Sequence, residues 1–276
     1  MVKRDHKWLW GIGMAVFTLA VLFPFYWMLI TSSKTFQEIS APVPSFWPRR
    51  WSWEAYRDIF MRHHFIRYFC NSLLVAGATA VFATAGAVLA AYALTRLWFR
   101  GRRLLSRATL CVYMLPAVLL MVPLFAFFSK LGLTDSLAGL VVVYLSQTLP
   151  VSIYMLGNYF RSVPVELEEA GMTDGAGRLG VIWRITLPLS MPAIAGVLLY
   201  TFVIAWNEFL FAFVFITSES RRTLPLGFQT IYESLHTPWD RVMAAATVIS
   251  IPVMILFVFF QSLLVRGLTA GGVKDG

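Results

Sequence analysis

The chain has 276 residues, 58% of them hydrophobic, 16% aromatic and only 13% charged, with a formal net charge of +9. A soluble domain carries about 25% charged residues, so an ordinary water-soluble fold is excluded. A basic total of this kind is what Lys- and Arg-rich loops beside membrane spans produce, and by itself it does not point to nucleic acid.

Crossing about 30 Å of hydrocarbon takes roughly 20 helical residues. The first apolar run, about 8–30, is too long for a signal-peptide core and has no small-residue cleavage signal, which predicts a retained span. Residues 31–69 follow, with "APVPSFWPRRWSWEAY" suggesting an ordered loop at the membrane interface. His63 and His64 are adjacent in it and His6 lies in the basic tail, which is not a metal-ligand arrangement. The second span, 70–94, is rich in Ala and Gly; small residues let helices approach closely, so it is expected inside the bundle. Cys70 and Cys111 lie in apolar stretches and read as small hydrophobes.

Between spans two and three, residues 96–107 hold Arg96, Arg100, Arg102, Arg103 and Arg107 with no acid. A short, wholly basic loop belongs on the cytoplasmic side, which also puts both termini there. Spans follow at about 107–128, 136–158, 191–217 and 243–265. Pro116, Pro123, Pro150 and Pro252 fall in or near them and predict kinks that suit a moving transport core. A lone strand leaves its backbone unpaired in lipid, and the period-2 pattern of a barrel is missing. The expected fold is therefore an all-α membrane protein of six transmembrane helices in a single domain, 1–276.

With that topology residues 159–190, "YFRSVPVELEEAGMTDGAGRLGVIWRITLPLS", form a cytoplasmic loop far longer than a helix connection needs. Ser162 and Pro164 mark a helix start, with glutamates in the favourable first turns. Leu167, Ala170 and Gly171 are expected to share one face and Glu166, Glu169 and Thr173 another. Gly175 and Gly177 permit a sharp turn, and a second short helix, about 178–186, is expected to stop before Pro188. Such a unit either presses one side into a partner and leaves its acids exposed or rests as an amphipathic loop on the headgroups, where an anionic leaflet is unfavourable for Glu166, Glu168, Glu169 and Asp174.

An ionisable group inside a span is costly and usually functional. In "TFVIAWNEFLFAF" Asn207 and Glu208 stand among apolar residues, either lining a translocation path or bonding a broken helix together. Tyr200, Trp206 and Phe209 are the aromatic candidates for stacking on a solute beside them. No phosphate-binding GxxxxGK[ST] loop, metal-ligand cluster or nucleophile elbow is present in the sequence, so no catalytic residue and no metal ligand is expected.

The run Glu169-Ala170-Gly171, then Asp174-Gly175-Ala176, then Ile185, Leu187 and Pro188 resembles the cytoplasmic EAA loop of bacterial ATP-binding-cassette importer permeases, with Gly171 where a second Ala is usual. "WNEFLFAFVF", "TLPLGF" and "LLVRGLTAGGVKDG" are similar to the carbohydrate branch, most of all to the second, maltose-type permease of a heterodimeric pair. The resemblance spans nearly the whole chain. It implies the type I, MetI-like permease fold in a bacterial inner membrane, a partner permease, two ATPase subunits that carry the ATP and Mg, and an extracytoplasmic sugar-binding protein. By the same resemblance Glu169 contacts the ATPase, Ala170 and Gly171 pack in its cleft, Gly175 makes the bend, Asp174 belongs to the same coupling set, and residues Thr269 to Gly272 reach toward the ATPase dimer. The residues alone also leave open an ion-coupled secondary transporter and a non-transporting membrane scaffold.

Overall fold

The computed structural model describes residues 7–62, 64–232 and 239–272, with side chains except at 7, 9, 62, 230, 231 and 266–272. His6 and His63 lie outside the described residues. The chain divides into two compact units, 1–66 with 227–251 and 67–226 with 252–276. Every described regular element is helical: α1 (Lys7–Ser32), α2 (Phe36–Ile39), α3 (Glu54–Arg62), α4 (Phe65–Arg96), α5 (Arg102–Met114), α6 (Ala117–Lys130), α7 (Leu137–Ser162), α8 (Val165–Thr173), α9 (Arg178–Val181), a π turn (Ile182–Thr186), α10 (Leu187–Leu189), α11 (Met191–Trp206), α12 (Leu210–Phe215), a 3₁₀ turn (Glu219–Arg221), α13 (Leu224–Tyr232) and α14 (Trp239–Gly272).

Four of these helices are long and apolar enough to cross a membrane, or up to six if each of two bent pairs is one span. The bends revise two of the expected spans. The stretch 107–128 is cut between α5 and α6, whose axes differ by 102°. A residue before proline is pushed out of the helical region, and Leu115, before Pro116, is extended at φ −73°, ψ 127°. Pro123 and Pro150 remain inside α6 and α7, and Pro252 inside α14. The stretch 191–217 is shorter as a helix: α11 ends at Trp206, and α12 resumes at Leu210 after a break.

In the first unit the loop after α1 is ordered, as its composition suggests. Lys34 is buried, donates to the carbonyl of Ser45 and lies 4.9 Å over the Trp27 ring. Glu38 accepts from the Ser45 hydroxyl (2.6 Å) and the Arg49 amide (3.0 Å), and Tyr26 donates to the Phe46 carbonyl at 2.5 Å. Arg241 of α14 meets Asp58 of α3 at 2.6 Å.

In the second unit α4 and α7 supply the core. Along α4 the residues Ala76, Ala80, Ala83, Ala87 and Ala91, spaced three or four apart, are at most 1% exposed, which puts the small-residue stripe inside the bundle as the sequence predicts. Ala87, Ala91 and Tyr92 pack with Leu156 and Phe160 of α7, Ile182 of the π turn and Val197 of α11. This cluster floors the 159–190 segment. At the other end of α7, Gly139 is a close-approach site: a Cβ there would sit 1.9 Å from the Leu133 carbonyl oxygen. That lets residues 131–136 fold tightly against the helix and present Asp135, at φ 50°. The Asp135 carboxylate accepts from the amides of Thr217 (3.0 Å) and Ser218 (2.8 Å), from the Ser218 hydroxyl (2.5 Å) and from Arg221 (2.8 Å).

Candidate functional site

The segment 159–190 is built from two short helices joined by a glycine turn. Pro164 has no amide hydrogen to leave unsatisfied and carries φ −57°, so it opens α8 without strain. The helix closes through a left-handed residue, Gly175 at φ +91°. Its amide bonds Met172 O (3.1 Å), and the Ala176 amide bonds Gly171 O (3.0 Å); this paired arrangement satisfies the last carbonyls. The turn therefore needs one glycine, since Gly177 sits at an ordinary φ of −66°.

The orientation of α8 differs from the expected one. Glu168, expected to be exposed, is 2% exposed. Its Oε1 takes 3.0 Å from Arg96 Nε and 3.1 Å from the Thr186 hydroxyl. Arg96 is the last residue of α4, and its Nη2 also donates to the carbonyls of Phe160 (2.8 Å) and Val163 (2.7 Å) at the end of α7. One guanidinium and one carboxylate thus join α4, α7, α8 and the π turn. The inward residues of α8 are Glu168 and, three positions on, Gly171, while Leu167 and Ala170 face out. The hydrophobic pattern missed this because an acid occupies the buried position. The signal available in the sequence was Arg96, the first charge after the small-residue span, which needs a partner.

Gly171 also has a local reason. A Cβ there would lie 2.4 Å from Ile185 Cδ1 and 3.6 Å from Val181 Cγ2. Its missing methyl is filled by the second helix of the same loop. Glu169, Ala170 and Asp174 are exposed, as are Leu167, Met172, Leu179 and Trp183. The carboxylate of Glu169 makes no ion pair among the described residues. The second helix does not stop before Pro188: it continues to Leu189 through the π turn, in which the Leu187 amide reaches back to Ile182 O. The widened turn opens the ladder just ahead of Pro188, whose ring and missing N–H an α-helix interior rejects. The axis then turns by 80° into α11.

The candidates further along the chain fall into two places. Trp206 is 1% exposed, stacked on Phe202 (5.5 Å) and edge-on to Phe69 (5.6 Å). Asn207 is exposed and donates to Val203 O (2.8 Å). Glu208 caps α12, accepting from the amides of Phe211 (3.0 Å) and Ala212 (3.2 Å), with the buried Tyr144 hydroxyl close to its carboxylate. Phe209 stacks on Phe213 at 5.6 Å. Tyr200 instead borders a separate hollow at the α5–α6 bend, with Tyr113, Ser146, Gln147 and Ile204. The Gln147 Nε2 is buried there without a hydrogen-bond partner among the described residues. Sequence reasoning missed Gln147 and Ser146, which read as ordinary polar residues of a span. Among the described residues no three His, Cys, Asp or Glu side chains are grouped to hold a metal ion.

Residues 83–270 match the family described as the binding-protein-dependent transport system inner membrane component. The chain is 42% identical over 264 residues to the inner membrane ABC transporter permease protein YcjP of Escherichia coli strain K12, covering 95% of this chain and 94% of that protein. It is 36% identical over 270 residues to the trehalose/maltose transport system permease protein MalG of Thermococcus litoralis, covering 95% of each. It is 33% identical over 267 residues to the diacetylchitobiose uptake system permease protein DasC of Streptomyces coelicolor, covering 96% of each. A chain from the crystal structure of a bacterial ABC transporter involved in the import of the acidic polysaccharide alginate superposes with a TM-score of 0.82 at 24% identity, covering 95% of this chain and 98% of that one; that likeness carries the fold.

Proposed function

The chain belongs to the family of inner membrane components of binding-protein-dependent transport systems, and from that premise we propose that it is one permease subunit of an ATP-driven sugar importer. It works with ATPase subunits on one side of the membrane and a solute-binding protein on the other. The sugar class rests on the relatives, whose names include trehalose/maltose and diacetylchitobiose carriers. A second permease completes the path, and two ATPase subunits dock on the cytoplasmic face. We count six spans by taking α5 with α6 as one crossing and α11 with α12 as another, beside the four long helices, within a single permease domain, both termini cytoplasmic.

The observation that carries the coupling role is the way α8 is held. Glu168 and Arg96 fix the helix from beneath, so that Glu169 and Ala170 face outward with exposed Leu167 and Met172 beside them. A rigidly seated, partly apolar face with a free carboxylate suits a protein partner. An ATPase cleft that grips it and then closes moves α4 and α7 together through the same pair. Asp174 and Gly175 set the direction of the turn. The bond from Arg96 to Glu168 also supports placing the arginine-rich 96–107 segment and the 159–190 loop at one end of the bundle.

For the solute path we propose the surface of the α11–α12 break, with Asn207 and Phe209 outward and Glu208 holding the break open, together with Tyr200 and Gln147 in the neighbouring hollow. Trp206 supports that wall from behind. The chain itself breaks no bond; ATP and Mg belong to the partner subunits. Pull-down of the full chain from mildly solubilised membranes tests the reading. The wild type should bring down a second permease and an ATPase, and Glu169→Ala should lose the ATPase while keeping the permease. Wild-type chain recovered alone, or a variant that retains the ATPase, would overturn the coupling role. Solute uptake that survives ATP depletion would favour an ion-driven carrier.

A further inference from the structure

We propose that the basic hollow where α4 ends and α5 begins is a binding site for the phosphate headgroup of an anionic phospholipid. It needs only that α4 crosses the bilayer and is independent of which solute is carried. The hollow, about 740 Å³, is walled by Arg102, Arg103, Arg107 and Arg161 beside Trp98 and Phe99, and no acid contributes to its wall.

The four cations are not equivalent. Arg102 is committed to the fold: it donates to the carbonyls of Leu94 (2.7 Å), Thr95 (3.1 Å) and Leu97 (3.3 Å), closing the end of α4, and lies 5.3 Å over the Trp98 ring. Arg161 is held by Asn158 at 2.8 Å. Arg103 and Arg107, one turn apart on α5, are exposed and make no ion pair among the described residues. Like charges gathered around one concavity repel, and a bound anion relieves that repulsion.

The rim selects the kind of anion. Trp98 is 91% exposed and Leu104 73%. Bulky apolar side chains beside a cationic hollow fit a ligand with a charged head and an apolar body, whereas free phosphate gains nothing from them. The position agrees: α4 has 32 residues, about 48 Å of helix, longer than the hydrocarbon layer, so its final turn reaches the headgroup level. Basic pockets at that depth hold acidic lipid headgroups.

Native mass spectrometry of the purified, delipidated full chain tests this, with phosphatidylglycerol, phosphatidylcholine and inorganic phosphate as probes. One phosphatidylglycerol should be retained at least tenfold more tightly than phosphatidylcholine, with no displacement by equimolar phosphate. R103Q/R107Q should weaken it about 10- to 30-fold, from roughly fivefold per arginine near a membrane surface. Arg49 and Arg50 are exposed in the first unit, and R49Q/R50Q should leave retention unchanged. If the double variant does not accumulate as folded protein, R107Q alone should show about a fivefold loss. Equal retention of the two lipids, equal loss in both arginine pairs, or undiminished retention in R103Q/R107Q would overturn the site. Displacement by inorganic phosphate would reassign it to a soluble anion and overturn the lipid.

Discussion

Removing the Glu168 carboxylate should loosen the 159–190 loop more than any other single change in it. In Glu168→Ala the Arg96 guanidinium stays where it is, its side chain 11% exposed, and loses its only counter-charge among the described residues. The Thr186 hydroxyl, at 0% exposure, loses its acceptor. Breaking a buried ion pair from one side costs about 3–5 kcal/mol. Arg96 keeps two carbonyl acceptors, Phe160 and Val163, which places the cost near the lower end, about 3 kcal/mol. If the loop opens locally, that is roughly a hundredfold faster amide exchange in α8 and the π turn, with the middle of α4 and α7 little changed. Hydrogen exchange read by mass spectrometry measures it in wild type and variant. A second variant isolates the cause: R96M/E168L removes both charges together, and an apolar replacement of a buried pair is often close to neutral, so exchange should return to within about tenfold of wild type. Exchange in Glu168→Ala within twofold of wild type would refute the argument, as would a double variant as labile as the single.

Gly171→Ala should change stability by less than about 1 kcal/mol, because the helix-propensity gain of about 1 kcal/mol is offset by displacing Ile185 Cδ1 from 2.4 Å. Combined with Ile185→Val, which removes that methyl, the same substitution should raise Tm by a few degrees relative to Ile185→Val alone; a fall would mean that the second helix cannot take up the space. Asp135 titrates at about 2 against an ordinary 3.8, held down by the Ser218 hydroxyl and by the amides of Ser218 and Thr217, with Arg221 adding to them, although partial burial works the other way. Its contribution to stability is therefore complete above about pH 4 and lost as the pH falls through about 2. Asp135→Asn should remove that part of the acid dependence and weaken the 217–221 segment at neutral pH, read by thermal melts between pH 2 and 7. An unchanged acid profile would count against the assignment.

Much of this architecture is legible in the sequence, and the exceptions share a cause. Long apolar stretches mark the four helices that are long and apolar enough to cross a membrane, and the alanine spacing of α4 marks its buried face. The EAA pattern locates the loop, and glycine at 175 has the left-handed conformation that the turn demands. What is not legible depends on partners distant in sequence. Glu168 is indistinguishable from Glu166 and Glu169 until Arg96, 72 residues earlier, is brought beneath it. Gly171 reads as a weak helix residue until Ile185 is seen filling its place. Pro116 signals a kink and Asn207–Glu208 an interruption, but the 102° turn at the first and the helix end at Trp206 depend on backbone geometry that composition does not carry.

The π turn at Ile182–Thr186 works as a single-residue phase shift. An α-helix advances 100° for each residue, and a π turn absorbs one residue in excess without passing that rotation on. Deleting one residue there would let the ladder close as plain α-helix with both flanks still in phase, whereas adding one to the plain helix on either side would swing one flank about 100° relative to the other. Either Thr186 would leave Glu168, or α11 would turn Val197 away from the packing it makes with Ala87 and Leu156. The loop and the bundle are thus kept in phase by a spacing, and this stretch tolerates a change of side chain far better than an added residue.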